Sequence, residues 1–336
     1  MIKLGQIGIG HNHGAAKLEA ARKFPDLFEI VGYAEPDEAW IRSRGDYKAY
    51  RGLERMEVND LIEKCDALLI ESDIWNLDKY AKMCIDAGKH IHMDKPSGAS
   101  PDVFGEILKE AEAKKLVVQL GYMYRYNPAI IRTLDAIKDG KLGEIYSINA
   151  EMSTFHSQGY KKWLTNFNGG IMYILGSHLV DLIVYILGEP KKITPVLKST
   201  GLDGIDLEDN NLAVLEYEKA IARIFVSSVE VNGWGRRQFM VSGSRGTVDI
   251  KPIENECHMT YSDLEIAENC YEDMKRIEDI KDLPKGERYD SMMKDFYAYI
   301  VGEKENPFTY EHDRKVQKVL SQIVGGIGFK TKNPMY

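Results

Sequence analysis

The sequence predicts an α/β fold: a doubly wound parallel sheet, then a second α/β domain with a large, open, mainly antiparallel sheet. Two observations carry this reading. Residues 3 to 121 alternate short apolar runs with amphipathic stretches, the pattern of βαβ units. Beyond residue 190 apolar positions recur every second residue without intervening helical patterns, which reads as strands with one solvated or covered face.

The apolar runs of the first part are Leu4–Ile9, Phe28–Ala34, Ala67–Ile70, His90–Met93 and Leu116–Leu120. They are continuous rather than alternating, as strands buried on both faces require. Helical patterns lie between them at Ala15–Lys23, Leu77–Ala87 and Val103–Lys114. After Asn127-Pro128 a helix runs to Lys138, where Asp139-Gly140 ends it. Another covers Met172 to Leu187 and stops at Gly188-Glu189-Pro190. Strand signals follow at Leu212–Leu215, Ala222–Val226, Gln238–Ser242 and Thr247–Ile250, and helical patterns at Ser291–Val301 and Arg314–Val324 close the chain. The expected domains are residues 1–122 and 123–336.

Length and composition narrow the function classes. The 336 residues suffice for two cores, and 44% hydrophobic with 29% charged residues is the balance of a soluble globular chain. A net charge of -8 disfavours nucleic acid and anionic membranes as partners. Cys65, Cys84, Cys257 and Cys270 are widely spaced, which suits a reducing compartment and offers no zinc knuckle. The longest apolar stretch, Gly169 to Gly188, contains His178 and Asp181, so a buried helix is expected there rather than a membrane span. Lys3 to Ile9 reads as a strand and not as a signal peptide, so the expected location is cytoplasmic.

Three motifs point to chemistry. Gly8-Ile9-Gly10-His11-Asn12-His13-Gly14 follows the first strand and opens a helix. The first glycine permits a tight turn, and the second lets backbone approach a pyrophosphate at a helix N-terminus. His13 stands at the third glycine position of the dinucleotide fingerprint, with Gly14 one place late. Glu35 closes the second strand, where a carboxylate accepts hydrogen bonds from a ribose 2′-hydroxyl and repels a 2′-phosphate; Pro36-Asp37-Glu38 follow with no arginine, so NAD is expected over NADP. The third motif is Asp94-Lys95-Pro96, a lysine fixed just past a buried strand, where open α/β sheets bind ligands. The pairs His11/His13 and His90/His92 lack a cluster of further ligands at metal spacing, so cofactor contact or capping is expected of them and no metal.

In order and spacing, these motifs resemble the Gfo/Idh/MocA oxidoreductases along essentially the whole chain. Ala87-Gly88-Lys89-His90 leading into Asp94-Lys95-Pro96 is similar to the family's Glu-Lys-Pro segment. Gly121–Pro128 resembles its Arg-x-Asn-Pro crossover, and Gly176-Ser177-His178-Leu179-Val180-Asp181 its Gly-x-His-x-x-Asp helix. Tyr289–Phe296 and Phe308–His312 also resemble family members. The resemblance implies a Rossmann domain and a second domain whose open sheet often makes homodimer or homotetramer contacts. It also implies hydride transfer between NAD(P) and a hydroxyl carbon of a sugar, cyclitol or sugar derivative. The motif lysine and histidine carry over to Lys95 and His178 as catalytic residues, and Gly8, Gly10, His11, Asn12, His13, Glu35, Ser72, Asp73, Asp94 and Lys95 are the expected cofactor contacts. Arg125 and Asn127 are expected to brace the domain junction.

The sequence also departs from the family pattern. Where an aspartate usually stands four residues before the histidine, this chain has Ile174; Ser72-Asp73-Ile74-Trp75 replaces a Thr-Pro-Asn segment, and Asp94 replaces Glu. Lys95 can stabilise developing alkoxide charge and His178 can relay the hydroxyl proton, with Asp181 one helical turn on. Ser153–Asn168 reads as a loop over a cleft, with His156 and Trp163 as substrate contacts alongside Lys95 and His178, and Trp234 as a further candidate. Two other functions stay open: a redox-assisted lyase or glycosidase with tightly held NAD, and a non-enzymatic NAD- and sugar-binding regulator, which Ile174 motivates.

Overall fold

Five short apolar segments pair as parallel strands in the computed structural model, which describes residues 1–98, 100–254, 257–264, 276–280 (as backbone) and 288–330. In chain order the elements are β1 (Ile2–Ile7), α1 (Gly14–Arg22), β2 (Phe28–Ala34), α2 (Glu38–Arg44), α3 (Val58–Lys64), β3 (Ala67–Ile70), α4 (Leu77–Asp86), β4 (His90–Met93), α5 (Pro101–Ala113) and β5 (Val118–Leu120). The sheet order is β2-β1-β3-β4-β5, so the chain reverses its direction of winding between β1 and β3. Ligands of such sheets bind past the carboxyl ends of the strands at that reversal. Strand β3 is buried along its whole length, as its unbroken apolar run requires.

Two strands of this sheet, β1 and β5, have bounds that differ from the sequence reading. Strand β1 ends at Ile7 rather than Ile9, because Gly8 turns the chain out of the sheet with φ +87°. Strand β5 starts at Val118 rather than Leu116.

The next elements are α6 (Pro128–Lys138), β6 (Ile145–Glu151), α7 (Gln158–Leu164), α8 (Ser177–Leu187), β7 (Lys192–Lys198), β8 (Asn210–Glu216), β9 (Ile221–Ser227), β10 (Gln238–Gly243), β11 (Gly246–Ile250), β12 (Cys257–Asp263) and β13 (Arg276–Ile280). The strands form one sheet in the order β13-β12-β11-β10-β6-β9-β8-β7. All neighbours run antiparallel except β6 and β9. Burial alternates along β8 and β9, and α8 packs on β6 and β9. Helices α9 (Asp290–Val301) and α10 (Tyr310–Val324) complete the described chain.

The chain divides into two compact units, residues 1–123 with 286–314, and residues 124–285 with 315–336. In the first, Lys23 Nζ meets Asp290 of α9 at 2.9 Å and Gln119 Nε2 donates to the Met292 carbonyl.

Local chemistry explains the start of α6 and α7 and the end of α8 in the second unit. Pro128 opens α6 with its fixed φ, and Asn127 Oδ1 caps it by accepting from the backbone N–H groups of Ala129 and Ile130. The Asn127 Nδ2 group donates to the Ile253 carbonyl. Gly188, at φ +74°, stops α8. The stretch 153–168 is not simply a loop: it contains α7, capped by Ser157 Oγ accepting from the Tyr160 N–H. Similarly, α10 begins at Tyr310, earlier than its apolar pattern shows. Of the cysteines, Cys65, Cys84 and Cys257 are free and buried; Cys270 lies outside the described residues. Among the described residues no helix is long and apolar enough to cross a membrane.

A buried, bidentate ion pair joins Arg125 to Asp181 of α8 (Nη2–Oδ1 2.6 Å, Nε–Oδ2 3.0 Å). Removing one partner of such a pair leaves an uncompensated charge and costs about 3–5 kcal/mol, whereas replacing both with apolar groups is often neutral. Arg125→Met should therefore lower the thermal unfolding midpoint sharply, and Arg125→Met with Asp181→Leu should recover most of the loss. A double variant no more stable than the single one would contradict the pairing.

Candidate functional site

The glycine loop sits at the reversal between β1 and β3. A Cβ on Gly8 would lie 2.2 Å from Ser72 Cα and 2.3 Å from Ser72 N, so only glycine lets the loop pass the end of β3. At Gly10 a Cβ would meet the Trp40 indole at 2.8 Å and Asp73 N at 2.9 Å. Helix α1 then begins at Gly14, and its N-cap residue, His13, makes no side-chain capping bond. These are the features an anionic pyrophosphate requires: close backbone and a helix N-terminus.

Around the loop the expected contacts come together. Glu35 is buried and accepts from the N–H groups of Ile9 (2.8 Å) and Asp37 (2.9 Å). Burial pushes its carboxyl up, against the pull of those two hydrogen bonds. Ser72 Oγ donates to the Asp73 carbonyl, and Asp73 caps the turn at Ile74–Asn76 by accepting from the Asn76 N–H. Arg44 was not a candidate from sequence. Its guanidinium lies over Trp40, 4.5 Å from the ring centroid, and donates to the Gly10 carbonyl and Asn12 Oδ1, both at 2.8 Å. Another arginine missed in the sequence, Arg55, donates to the Glu35 carbonyl (2.9 Å) and pairs with Glu38.

Beneath the loop lies a charge network that the sequence does not announce. Lys17 of α1 is fully buried, with Nζ 2.6 Å from Asp94 Oδ2 and 3.0 Å from Glu71 Oε1. The same Asp94 oxygen lies 2.8 Å from His11 Nδ1 and 3.3 Å from His13 Nδ1, while Asp94 Oδ1 accepts the Lys95 N–H at 2.6 Å. His92, from β4, shares Nδ1 with Gln119 Oε1 at 2.8 Å and approaches Glu71 Oε1 at 3.7 Å. Glu71 Oε2 is buried without a hydrogen-bond partner.

The electrostatics sort these groups by charge. Burial alone would raise the Asp94 carboxyl, but His11, Lys17 and His13 hold it well below the usual carboxylate range. Burial raises Glu71 well above that range; Asp94 reinforces the rise and Lys17 opposes it. The pair therefore splits: Asp94 stays ionised against the Lys17 ammonium, and Glu71 is the carboxyl that holds a proton. His11, His13 and Asp94 offer ligand atoms within 4.8 Å of one another. A divalent cation there would share the Asp94 oxygen with an ammonium 2.6 Å away, so the geometry fits hydrogen-bond donors better than a metal. The buried Lys95 follows directly, and its charge also disfavours protonation of His11 and His13.

The remaining candidates lie in the second unit. His178 is buried on α8, which is preceded by a π-helical turn, Met172–Gly176, holding the buried Ile174. In a π turn the backbone bonds i to i+5, so the one-turn spacing between 174 and 178 is widened. Asp181 is taken by Arg125. The Tyr124 ring packs on His178 with centroids 5.2 Å apart, and its hydroxyl donates to Glu254 Oε1 at 2.5 Å. Arg237 Nη1 donates to the same oxygen at 2.7 Å, while its guanidinium lies over Trp234 at 4.1 Å. His156 stacks on Tyr160 (4.2 Å), which packs on Trp163 (5.0 Å). Burial, with Arg237 and Lys161 nearby, lowers the His156 pKa to about 4. Glu254 and Arg237 lacked any motif signal, Tyr124 lies within the crossover motif, and Glu71 had a signal of its own: a carboxylate closing an otherwise apolar strand.

His13 and His92 are both driven by burial to a pKa of about 3, and are neutral near pH 7. Unfolded, each takes a proton below about pH 6.5, so the stability that depends on their neutrality falls as pH drops from there toward 3. The depressed Asp94 acts in the same direction at lower pH. Glu71 acts oppositely, losing stability as pH rises above its unfolded value. The thermal midpoint should fall between about pH 7 and about pH 5, and His92→Gln should flatten that slope. An identical slope in the variant would exclude His92 as a contributor.

Residues 131–249 match the family model for the GFO/IDH/MocA C-terminal domain. An uncharacterized oxidoreductase of Schizosaccharomyces pombe is 25% identical over 285 residues, 79% of this chain and 75% of that protein. The scyllo-inositol 2-dehydrogenase (NADP(+)) of Bacillus subtilis is 25% identical over 154 residues, 45% of this chain and 42% of that one. An oxidoreductase from Agrobacterium radiobacter, solved with NAD+, L-tartaric acid and magnesium, superposes with a TM-score of 0.79 at 14% identity, covering 96% of each chain. The family model over residues 131–249 and these relatives bear out the resemblance of this chain to the Gfo/Idh/MocA oxidoreductases.

Proposed function

We propose that this oxidoreductase is a dehydrogenase that uses NAD to oxidise a secondary hydroxyl of a sugar, cyclitol or sugar derivative. The observation that carries the reading is the sheet edge of the first unit. A glycine loop closed against Ser72, a buried acidic residue ending β2 and a buried lysine held by Asp94 stand at one topological reversal. A bound nicotinamide dinucleotide supplies the hydride acceptor. Gly8, Gly10 and the N-terminus of α1 would hold its pyrophosphate, and Glu35 its adenosine ribose. Lys95 stabilises the negative charge that develops on the substrate oxygen, and His178 takes the hydroxyl proton. His156 and Trp163 offer a ring nitrogen and an aromatic face of the kind that suits a polyol.

The Glu35 carboxylate supports NAD over NADP, because a 2′-phosphate would meet a second negative charge. Arg55 does not offset this, since Glu38 already pairs with it. Ile174, in place of a carboxylate, favours one alternative, a protein that holds the dinucleotide and a sugar without turnover.

A panel of cyclitols and sugars with NAD should yield reduced-nicotinamide absorbance. Lys95→Ala should lower turnover by about 10²-fold or more, and Glu35→Ala should shift the preference toward NADP. Turnover undiminished in Lys95→Ala would remove that residue from the chemistry. Tight NAD binding with no turnover on any substrate would favour the regulator.

A further inference from the structure

Helix α2 has seven residues, and Trp40 is its buried one, 8% exposed. The indole is held on several sides. Its N–H donates to the Asp73 carboxylate, which is itself fixed by the Asn76 N–H at 3.1 Å. The Arg44 guanidinium lies over the ring, 4.5 Å from its centroid, and reaches on to the carbonyls of Gly10 (2.8 Å) and Ile9 (3.3 Å). From the other side Glu35 Oε2 accepts the Ile9 N–H at 2.8 Å. The edge of the indole stands over Gly10, where a Cβ would lie 2.8 Å from both Cε2 and Nε1 of Trp40 and 2.9 Å from Asp73 N. The space that a glycine leaves open beside the loop is therefore filled by the chain's own side chain.

We infer that Trp40 and the dinucleotide compete for the space over Gly10, so that NAD binds this protein as an exchangeable co-substrate and not as a permanently held group. This rests on the reading of the glycine loop as the pyrophosphate site. One space takes one occupant: a pyrophosphate drawn against the Gly10 backbone requires the indole to leave. Leaving breaks the hydrogen bond to Asp73 and the stacking on Arg44, and it exposes the ring to water. Those losses are subtracted from the affinity for NAD. The move is local, because α2 is a short helix whose one buried side chain is the one that leaves. It also gives Asp73 back an acceptor position that a ribose hydroxyl can use. A protein whose binding-competent state is a minor population, about 0.1–10%, shows an affinity reduced by that fraction.

The test is calorimetric titration of NAD into the full-length protein, Trp40→Phe and Trp40→Ala, with circular dichroism to verify that each is folded. Trp40→Phe keeps a ring over Gly10 but cannot bond Asp73, whereas Trp40→Ala clears the space. Affinity for NAD should rise in both variants, by about tenfold or more in Trp40→Ala. Should Trp40→Ala fail to fold, the rise in Trp40→Phe decides alone. The unaltered protein should also be purified with less than one NAD per chain. Weaker binding in Trp40→Ala would make the indole a stacking surface for the cofactor and overturn the inference. Equal affinity in all three proteins, or NAD retained mole for mole through purification, would overturn it as well. Each of those outcomes leaves the dinucleotide reading standing. Absence of NAD binding in every folded protein would remove that reading, and this inference with it.

Discussion

One buried ammonium organises the carboxyl-terminal edge of the first sheet. Lys17 projects from α1 between Glu71, just past β3, and Asp94, just past β4, and ties the helix after the glycine loop to two neighbouring strand ends. Two carboxylates at that spacing cannot both stay ionised in a dry interior without a counter-charge. With Lys17 present Asp94 is the anion, and its two oxygens are then committed. One receives Lys17 and faces both loop histidines; the other receives the backbone N–H of Lys95. The loop and the lysine proposed to act in catalysis are thus positioned by one charge, and the Gly8–Ser72 contact fixes the loop from its other side.

Much of this fold is legible in the sequence because its strands are buried on both faces. Phe28–Ala34, Ala67–Ile70 and His90–Met93 read as strands with the bounds they have. Elements with weaker contrast are harder. The seven-residue helices α2 and α3 bury few side chains, and β6 and β7 carry too little apolar alternation to stand out. Helix α7 hides in a polar-aromatic stretch because its stability comes from a serine cap and aromatic packing instead of an apolar stripe.

The candidate site divides in the same way. Gly8, Gly10, Glu35 and Lys95 are visible because each occupies a fixed offset from a strand end. Lys17 is not, because a lysine on a helix of small residues normally reads as a solvated side chain; only a tertiary arrangement gives it two carboxylates. Arg55 reaches the Glu35 carbonyl from 20 residues away, and Tyr124 meets Glu254 across 130. Pairings that distant are properties of the fold and leave no local pattern. Ile174 is informative for the opposite reason: an isoleucine where the family pattern has a carboxylate is visible in the sequence alone.

The central claim is that the Lys17-centred network holds the strand ends in a dinucleotide-binding arrangement. Calorimetric titration of NAD into the intact protein and into Lys17→Met, with circular dichroism to verify folding, tests it most directly. The account predicts saturable binding to the unaltered chain, and affinity reduced at least about tenfold, or 1.4 kcal/mol, in a folded Lys17→Met. Equal affinity in the two proteins, or no binding to the unaltered folded chain, would contradict it.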